Sequence, residues 1–197
     1  MLQVGYQSVK NACPLLGPYL GSVIESPNGL PSFQTDRLTV RARTMADLGA
    51  CLVMDRDPLV TRFIPGPWAD PAAHRAFVED RIRRTYPPGM GYWSIVASTG
   101  FVGWILLTPL NLDGPEIEIG WRLVRAAWGQ GYATEAARAA IDWAWANLDT
   151  PRLISLIHRD NQASMRVARR LGERPDRNIT LEGNPVTVFV IDRPPDR

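Results

Sequence analysis

Lysine is almost missing from this 197-residue chain: Lys10 is the only one, and the rest of its 22 basic residues are arginine. That bias fits coding in a G+C-rich genome better than chemical selection, and it points to a bacterial source. Cysteine and histidine are equally scarce, at two each. Cys13 and Cys51 match no metal-ligand spacing and form no metal set with His74 or His158, and a chain this long does not depend on disulfide staples, so a reduced cytoplasmic compartment fits best. No segment approaches transmembrane length. The apolar run from Asn11 to Ile24 follows Lys10 in the manner of an export signal, but Pro14, Gly17, Pro18 and Gly21 interrupt it and no small-residue cleavage site follows. Excess charge is also lacking: 22 basic residues against 20 acidic ones leave a net +2, which offers no footprint for nucleic acid.

With 45% hydrophobic residues, the chain can fill one core of ordinary size. Residues 1–33, rich in Gly and Pro and without lasting periodicity, read as an N-terminal extension, and residues 34–197 as the domain proper. Leu38, Val40 and Ala42 alternate with arginines as in a half-buried first strand. Thr44 caps a helix with Leu48, Cys51, Leu52 and Val53 as its apolar stripe, and Asp70-Pro71 opens another with Phe77, Val78 and Ile82 on one face. Runs at Tyr92–Ala97, Phe101–Leu107 and Glu116–Val124 read as an antiparallel meander. A long helix follows, carrying Ala133, Ala136, Ala137, Ala140, Ile141, Ala144 and Leu148 at helical spacing. Then come a strand at Leu153–Ile157, a helix at Asn161–Leu171 ended by Gly172, and a strand at Val186–Ile191. The order is that of a single α+β domain.

The segment joining the third meander strand to the long helix carries the strongest chemical signal. Gly129 and Gly131 let backbone N–H groups approach an anion, and the helix N-terminus adds about half a positive charge. A plain tight turn would use the same two glycines. No Gly-Lys-Ser/Thr follows them and no third glycine completes a dinucleotide fingerprint, so two common phosphate-loop classes are excluded.

Glu118-Ile119-Gly120-Trp121-Arg122-Leu123, followed by Trp128-Gly129-Gln130-Gly131-Tyr132-Ala133-Thr134-Glu135-Ala136, resembles the core of the Gcn5-related N-acetyltransferases, in particular their ribosomal-protein N-acetyltransferase branch. Asn161-Gln162-Ala163-Ser164 with Leu171-Gly172 resembles the family's Asn-x-x-Ser helix, and Thr35-Asp36-Arg37-Leu38 its opening strand. Together these span about residues 35–192. The resemblance implies a mixed, mainly antiparallel sheet of six to seven strands flanked by about four helices. It implies acetyl-CoA as co-substrate, no metal, an amine acceptor, and no nucleic-acid or membrane partner; a homodimer would be unsurprising. It places backbone amides of Gly129, Gln130, Gly131, Tyr132, Ala133 and Thr134 around the CoA pyrophosphate, with main-chain groups of Trp121 and Leu123 beside pantetheine as an added strand would be. Trp128 stands where much of the superfamily has Gln or Arg.

Amine acetylation needs a base for the ammonium proton and a group that stabilises the leaving thiolate. Glu118, with Glu116 on the same strand face, resembles the glutamate that many relatives use as base; a structural hydrogen bond is the other reading. By the same resemblance Ser164 meets the thiolate and Asn161 positions pantetheine, while both also suit the first turn of a helix. Ala168 occupies the position of the tyrosine acid found in many members, which excludes that acid here. Glu173 replaces the Phe usual after the helix, and with Pro175 it would disturb the next strand. His158 is read as a solvated loop residue beside the site and His74 as lying on an exposed helix face. Trp93, Trp104, Trp143 and Trp145 read as core. Phe63, Ile64 and Trp68, in a Pro-rich loop, are expected at the acceptor entrance, and Arg166, Arg169 and Arg170 on a solvated face within reach of the CoA 3′-phosphate. The functional expectation is direct acetyl transfer to a primary amine, on a protein N-terminus or a small molecule. The alternative is an acyl-CoA-binding sensor that has lost turnover.

Overall fold

The computed structural model describes residues 29–112 and 114–195, so Lys10, Cys13 and the Asn11–Ile24 run lie outside the described residues. One eight-stranded sheet organises the domain, in the order β1-β2-β3-β4-β5-β6-β8-β7. Its first half is the expected meander: β1 (Phe33–Gln34), β2 (Thr39–Ala42), β3 (Gly91–Ala97), β4 (Gly100–Asn111) and β5 (Pro115–Leu123), each antiparallel to the next. Helices α1 (Leu48–Asp55), α2 (Pro58–Thr61) and α3 (Pro71–Arg83) lie between β2 and β3 in sequence. After β5 comes α4 (Tyr132–Asn147), then β6 (Arg152–His158), α5 (Gln162–Leu171), β7 (Arg174–Leu181) and β8 (Asn184–Asp192).

Among the described residues, eight strands and five helices exceed the expected six to seven and about four. The additions are the two-residue β1, the one-turn α2 and β7. Strand β7 escaped the sequence reading because Arg174-Pro175-Asp176-Arg177 does not alternate. It is an edge strand whose register slips between Pro175 and Arg177, the kind of place that tolerates a proline. Val53, expected in the apolar stripe of α1, is 67% exposed; the buried face is instead Leu48, Cys51, Met54 and Asp55.

The period of two along each strand sorts the sheet into two faces. Trp93, Ile95, Ile105, Leu107, Ile117 and Ile119 pack with the alanines of α4, where Ala136, Ala137, Ala140 and Ala144 are wholly buried. Those small side chains let the helix lie close on the sheet. Residues of the opposite parity, Trp104 and Leu106, pack with α1 and α3. Glu116, Glu118, Gly120 and Arg122 share that parity on β5, so alternation alone sends Glu118 and Arg122 to the face away from α4.

The feature that opens a site is the join between the halves. Strands β5 and β6 run parallel but pair at a single register position, Glu118 with Ile154. Past that point no ladder closes the sheet, although Ser155 donates its hydroxyl to the Ile119 carbonyl across the gap at 2.8 Å. The far ends of β5 and β6 therefore border a cleft.

Candidate active site

One side of the cleft is a groove of about 480 Å³, walled by Trp121, Leu123, Gly129, Gly131, Tyr132, Ala133 and Thr134 on one flank and by Asn161, Ser164, Arg166 and Arg170 on the other. At its end, Gly131 is the N-cap of α4 with φ of 83°, and Gly129 has φ of 75°. Both are left-handed conformations that suit glycine. The first N–H groups of α4 have no partner within the helix, so they and the macrodipole face the groove as an anion site. Gln130 is the exception in this loop. It is not on the groove wall; its side chain donates to the Ala126 carbonyl and its own carbonyl accepts from Arg37 Nη1, both at 2.9 Å.

Arg37 and Thr35 fasten the loop from outside. Both donate to Glu135 in the first turn of α4, Thr35 Oγ1 at 2.6 Å and Arg37 Nε at 2.8 Å, while the Arg37 guanidinium covers the Tyr132 ring. Burial works against ionisation of Glu135, but these hydrogen bonds outweigh it and hold its carboxyl below the usual range. A negative charge that would otherwise oppose an anion at this helix end is thus neutralised. Trp128 adds a further tie, donating its indole N–H to the Leu123 carbonyl at 3.0 Å.

The other side of the cleft is a cavity of about 560 Å³. Phe63, Ile64, Trp121, Arg122, Asn161 and Ser164 border both spaces, which meet there. Glu118 borders only the second. It has neither a hydrogen bond nor an ion pair among the described residues, and burial pushes its carboxyl up to about 7. Its side chain is partly buried on the wall of that cavity. Glu116, two residues away on the same face, is instead held by a bidentate pair with Arg152, its second bond 3.1 Å long. Ser164 lies on the first turn of α5; its N–H donates to Asn161 Oδ1 at 3.1 Å, and its own hydroxyl has no protein partner among the described residues. The Asn161 side chain is therefore the helix cap, and it lies where the two spaces join.

Comparison with known proteins identifies the family. Residues 37–174 match the family model described as an acetyltransferase (GNAT) domain. The chain belongs to the GNAT acetyltransferase family. It is 29% identical to an uncharacterised protein, YkkB, of Bacillus subtilis over 166 residues, 82% of this chain and 96% of that one. It is 32% identical to an acetyltransferase of Agrobacterium tumefaciens of known structure, with a TM-score of 0.69 over 82% of this chain and 94% of that one. A ribosomal-protein alpha-N-acetyltransferase solved with coenzyme A shares the fold, at 19% identity and a TM-score of 0.65, over 80% of this chain and 95% of that one. As a GNAT protein the chain is an acetyl-CoA-dependent N-acyltransferase.

Several GNAT site residues of this chain stand apart from the expectations. Phe63 and Ile64 reach the cavity wall, but Trp68 packs behind it: its indole donates to the Ile64 carbonyl at 2.8 Å, and its ring meets the edges of His74 and Phe77. Gly66 lies so close to the Trp68 ring that any side chain there would overlap it. His158 is not a solvated loop residue; it ends β6, borders the cavity and stacks on Phe63 with ring centroids 5.0 Å apart. His74 is 1% exposed, not on an open face, because its Nε2 meets Asp55 at 3.3 Å. Asp55 also accepts from Arg122 Nη1 at 2.7 Å, and this buried group underlies the cavity. Glu173, standing where the family has Phe, is 3% exposed and its carboxyl is pushed up to about 7 by burial, against the hydrogen bond with Ser155. The single Ser155 hydroxyl proton faces two acceptors, the Ile119 carbonyl at 2.8 Å and Glu173 Oε1 at 3.0 Å. Among the described residues no cluster of three or more His, Cys, Asp or Glu could hold a metal, and no helix is long and apolar enough to cross a membrane.

Proposed function

We propose that the chain transfers the acetyl group of acetyl-CoA directly to a primary amine, and that the two spaces are the cofactor groove and the acceptor cavity. The observation that carries this reading is their meeting at Trp121, Asn161 and Ser164, with the unpaired Glu118 on the acceptor side only. The pyrophosphate would lie on the N–H groups of Gly129, Gly131, Tyr132, Ala133 and Thr134, pantetheine beside Trp121 and Leu123 along the unpaired edge of β5, and Arg166 and Arg170 near the 3′-phosphate. The amine nitrogen attacks the thioester carbon, the C–S bond breaks, and the thiolate leaves with a hydrogen bond from Ser164. Before attack, Glu118, with its carboxyl at about 7, takes one proton from the ammonium and returns it to solvent; the second proton that the nitrogen sheds on forming the amide passes to the thiolate, giving the free thiol. Among the described residues Cys51 takes no part: it is fully buried and its thiol is pushed up to about 11 by burial, far from a nucleophile.

Calorimetric titration with acetyl-CoA tests the cofactor assignment. Gly129→Asp is the informative variant, since a Cβ there meets nothing within 4 Å and aspartate tolerates the left-handed backbone. It sets a negative charge on the groove wall, and binding should weaken by about tenfold or more. Unchanged affinity in the variant, or no binding by folded wild type, would overturn the assignment. Binding without turnover on any of a broad panel of amines would instead favour an acyl-CoA sensor.

A further inference from the structure

The acceptor cavity is lined unevenly. Glu118 borders it on β5, and Gly120 leaves the floor bare beside it. The sheet register extends from Gly120 to Leu106 and Tyr92, and Arg43 follows β2 with its N–H donating to the Tyr92 carbonyl. Three strand spacings of roughly 4.8 Å thus separate the backbones at the two ends of this row. The Arg43 guanidinium lies 3.9 Å over the Tyr92 ring and 5.8 Å from that of Trp104.

Arg43 is buried without a carboxylate in contact, Asp55 acting on it only at longer range. It is 5% exposed, forms no ion pair among the described residues, and its Nε and Nη2 are buried without a hydrogen-bond partner. Burying an unpaired cation is costly, and desolvation pushes its pKa down. Arg81, also on the cavity wall, has only its contacts with Phe77. The anions that face the cavity do not compensate. Asp55 is occupied by Arg122 and His74, Glu118 lies along β5 toward the groove junction, and Glu182 is an exposed loop residue. The end of the cavity remote from Glu118 is therefore cationic, with Phe77, Tyr92 and Trp104 as aromatic walls.

We infer that the acceptor is a small aminocarboxylate, its amine directed to Glu118 and its carboxylate to Arg43 and Arg81. This rests on the acetyl-transfer reading and adds the substrate class to it. A carboxylate would supply the partner that Arg43 lacks. A polyamine would bring further positive charge against the cavity's arginines, and a protein N-terminus carries no carboxylate of its own unless its first residues are acidic.

The test uses the full chain with acetyl-CoA and matched acceptor pairs that differ only in the carboxylate: phenylalanine against 2-phenylethylamine, tryptophan against tryptamine, and 4-aminobutyrate against propylamine, with spermidine as the polycation. Release of the CoA thiol gives kcat/KM. At least one pair should show a preference of about tenfold or more for the carboxylated member, and Arg43→Gln should bring that ratio near one while acetyl-CoA affinity, measured by calorimetry, stays unchanged. Arg81→Gln, on a less buried side chain, should reduce the same ratio and serves if Arg43→Gln does not fold. Equal use of both members in every pair, preference for spermidine, or a ratio retained in both variants would overturn the inference. So would turnover on none of them by protein that binds acetyl-CoA. Failure of folded wild type to bind acetyl-CoA would overturn the transfer reading beneath it.

Discussion

Glu116 and Glu118 face the same way on one strand, yet Arg152 reaches only Glu116. The ion pair keeps Glu116 structural, and its absence leaves Glu118 with desolvation alone, which raises its carboxyl to about 7. A base acts in its ionised form, so kcat should rise with pH through about 7 and level off above it. Glu118→Gln should lower kcat by a factor on the order of 10² or more, flatten that limb, and leave acetyl-CoA affinity intact. A steady-state pH series on both proteins checks this; a limb that survives in the variant belongs to another group. At this scale the resemblance pointed to Glu118 and Ser164, but alternation alone could not separate Glu118 from Glu116. The Asp55–Arg122–His74 group and the lone Arg43 were not legible either. Asp55 and Arg122 stand 67 positions apart, and a charge without a partner becomes visible only once every neighbour is in place.

At the scale of elements, the loop before α4 depends on a segment almost a hundred residues upstream. Thr35 and Arg37, at the turn between β1 and β2, hold Glu135, while Arg37 also holds the Gln130 carbonyl. The Arg37 side chain is 50% exposed, so its pair with Glu135 should contribute less than about 1 kcal/mol to stability. Its larger effect is to keep the helix end shaped and electrically neutral. Arg37→Met should weaken acetyl-CoA binding by about tenfold while the melting temperature moves by only a few degrees, as calorimetry and thermal unfolding would show. Equal losses in both would make Arg37 a stability residue. The strand-loop-helix unit was readable from glycine placement and the alanine stripe. Strand β7 was not, because edge strands need no inward alternation, and α2 was too short to show a period.

For the whole molecule, the decisive property is that two spaces, proposed for acetyl-CoA and acceptor, meet along a shared wall that includes Trp121, Asn161 and Ser164. Both can then be bound together, so initial-velocity plots should intersect instead of running parallel. No acetyl label should remain on the protein after incubation with labelled acetyl-CoA alone, which agrees with the burial of Cys51. Parallel lines with retained label would require a covalent intermediate. The expectation of one α+β domain extended to the whole described chain because strand and helix periods were clear over most of it. The cleft itself was beyond any local pattern, since it arises from two strands that pair at a single position.

On the proposed reading, the groove beside that cleft draws much of its chemistry from main-chain N–H groups, whereas the acceptor cavity is lined by side chains from nine helices and strands. Substitution reaches the second far more easily than the first. A library randomised at Arg43, Phe77, Arg81 and Tyr92, which border the cavity and not the groove, would explore new acceptors while cofactor affinity held nearly constant. If the two spaces divide the work as proposed, the protein is a scaffold for evolving acylation of new amines, with the half that binds the cofactor insulated from the mutations that redirect the other.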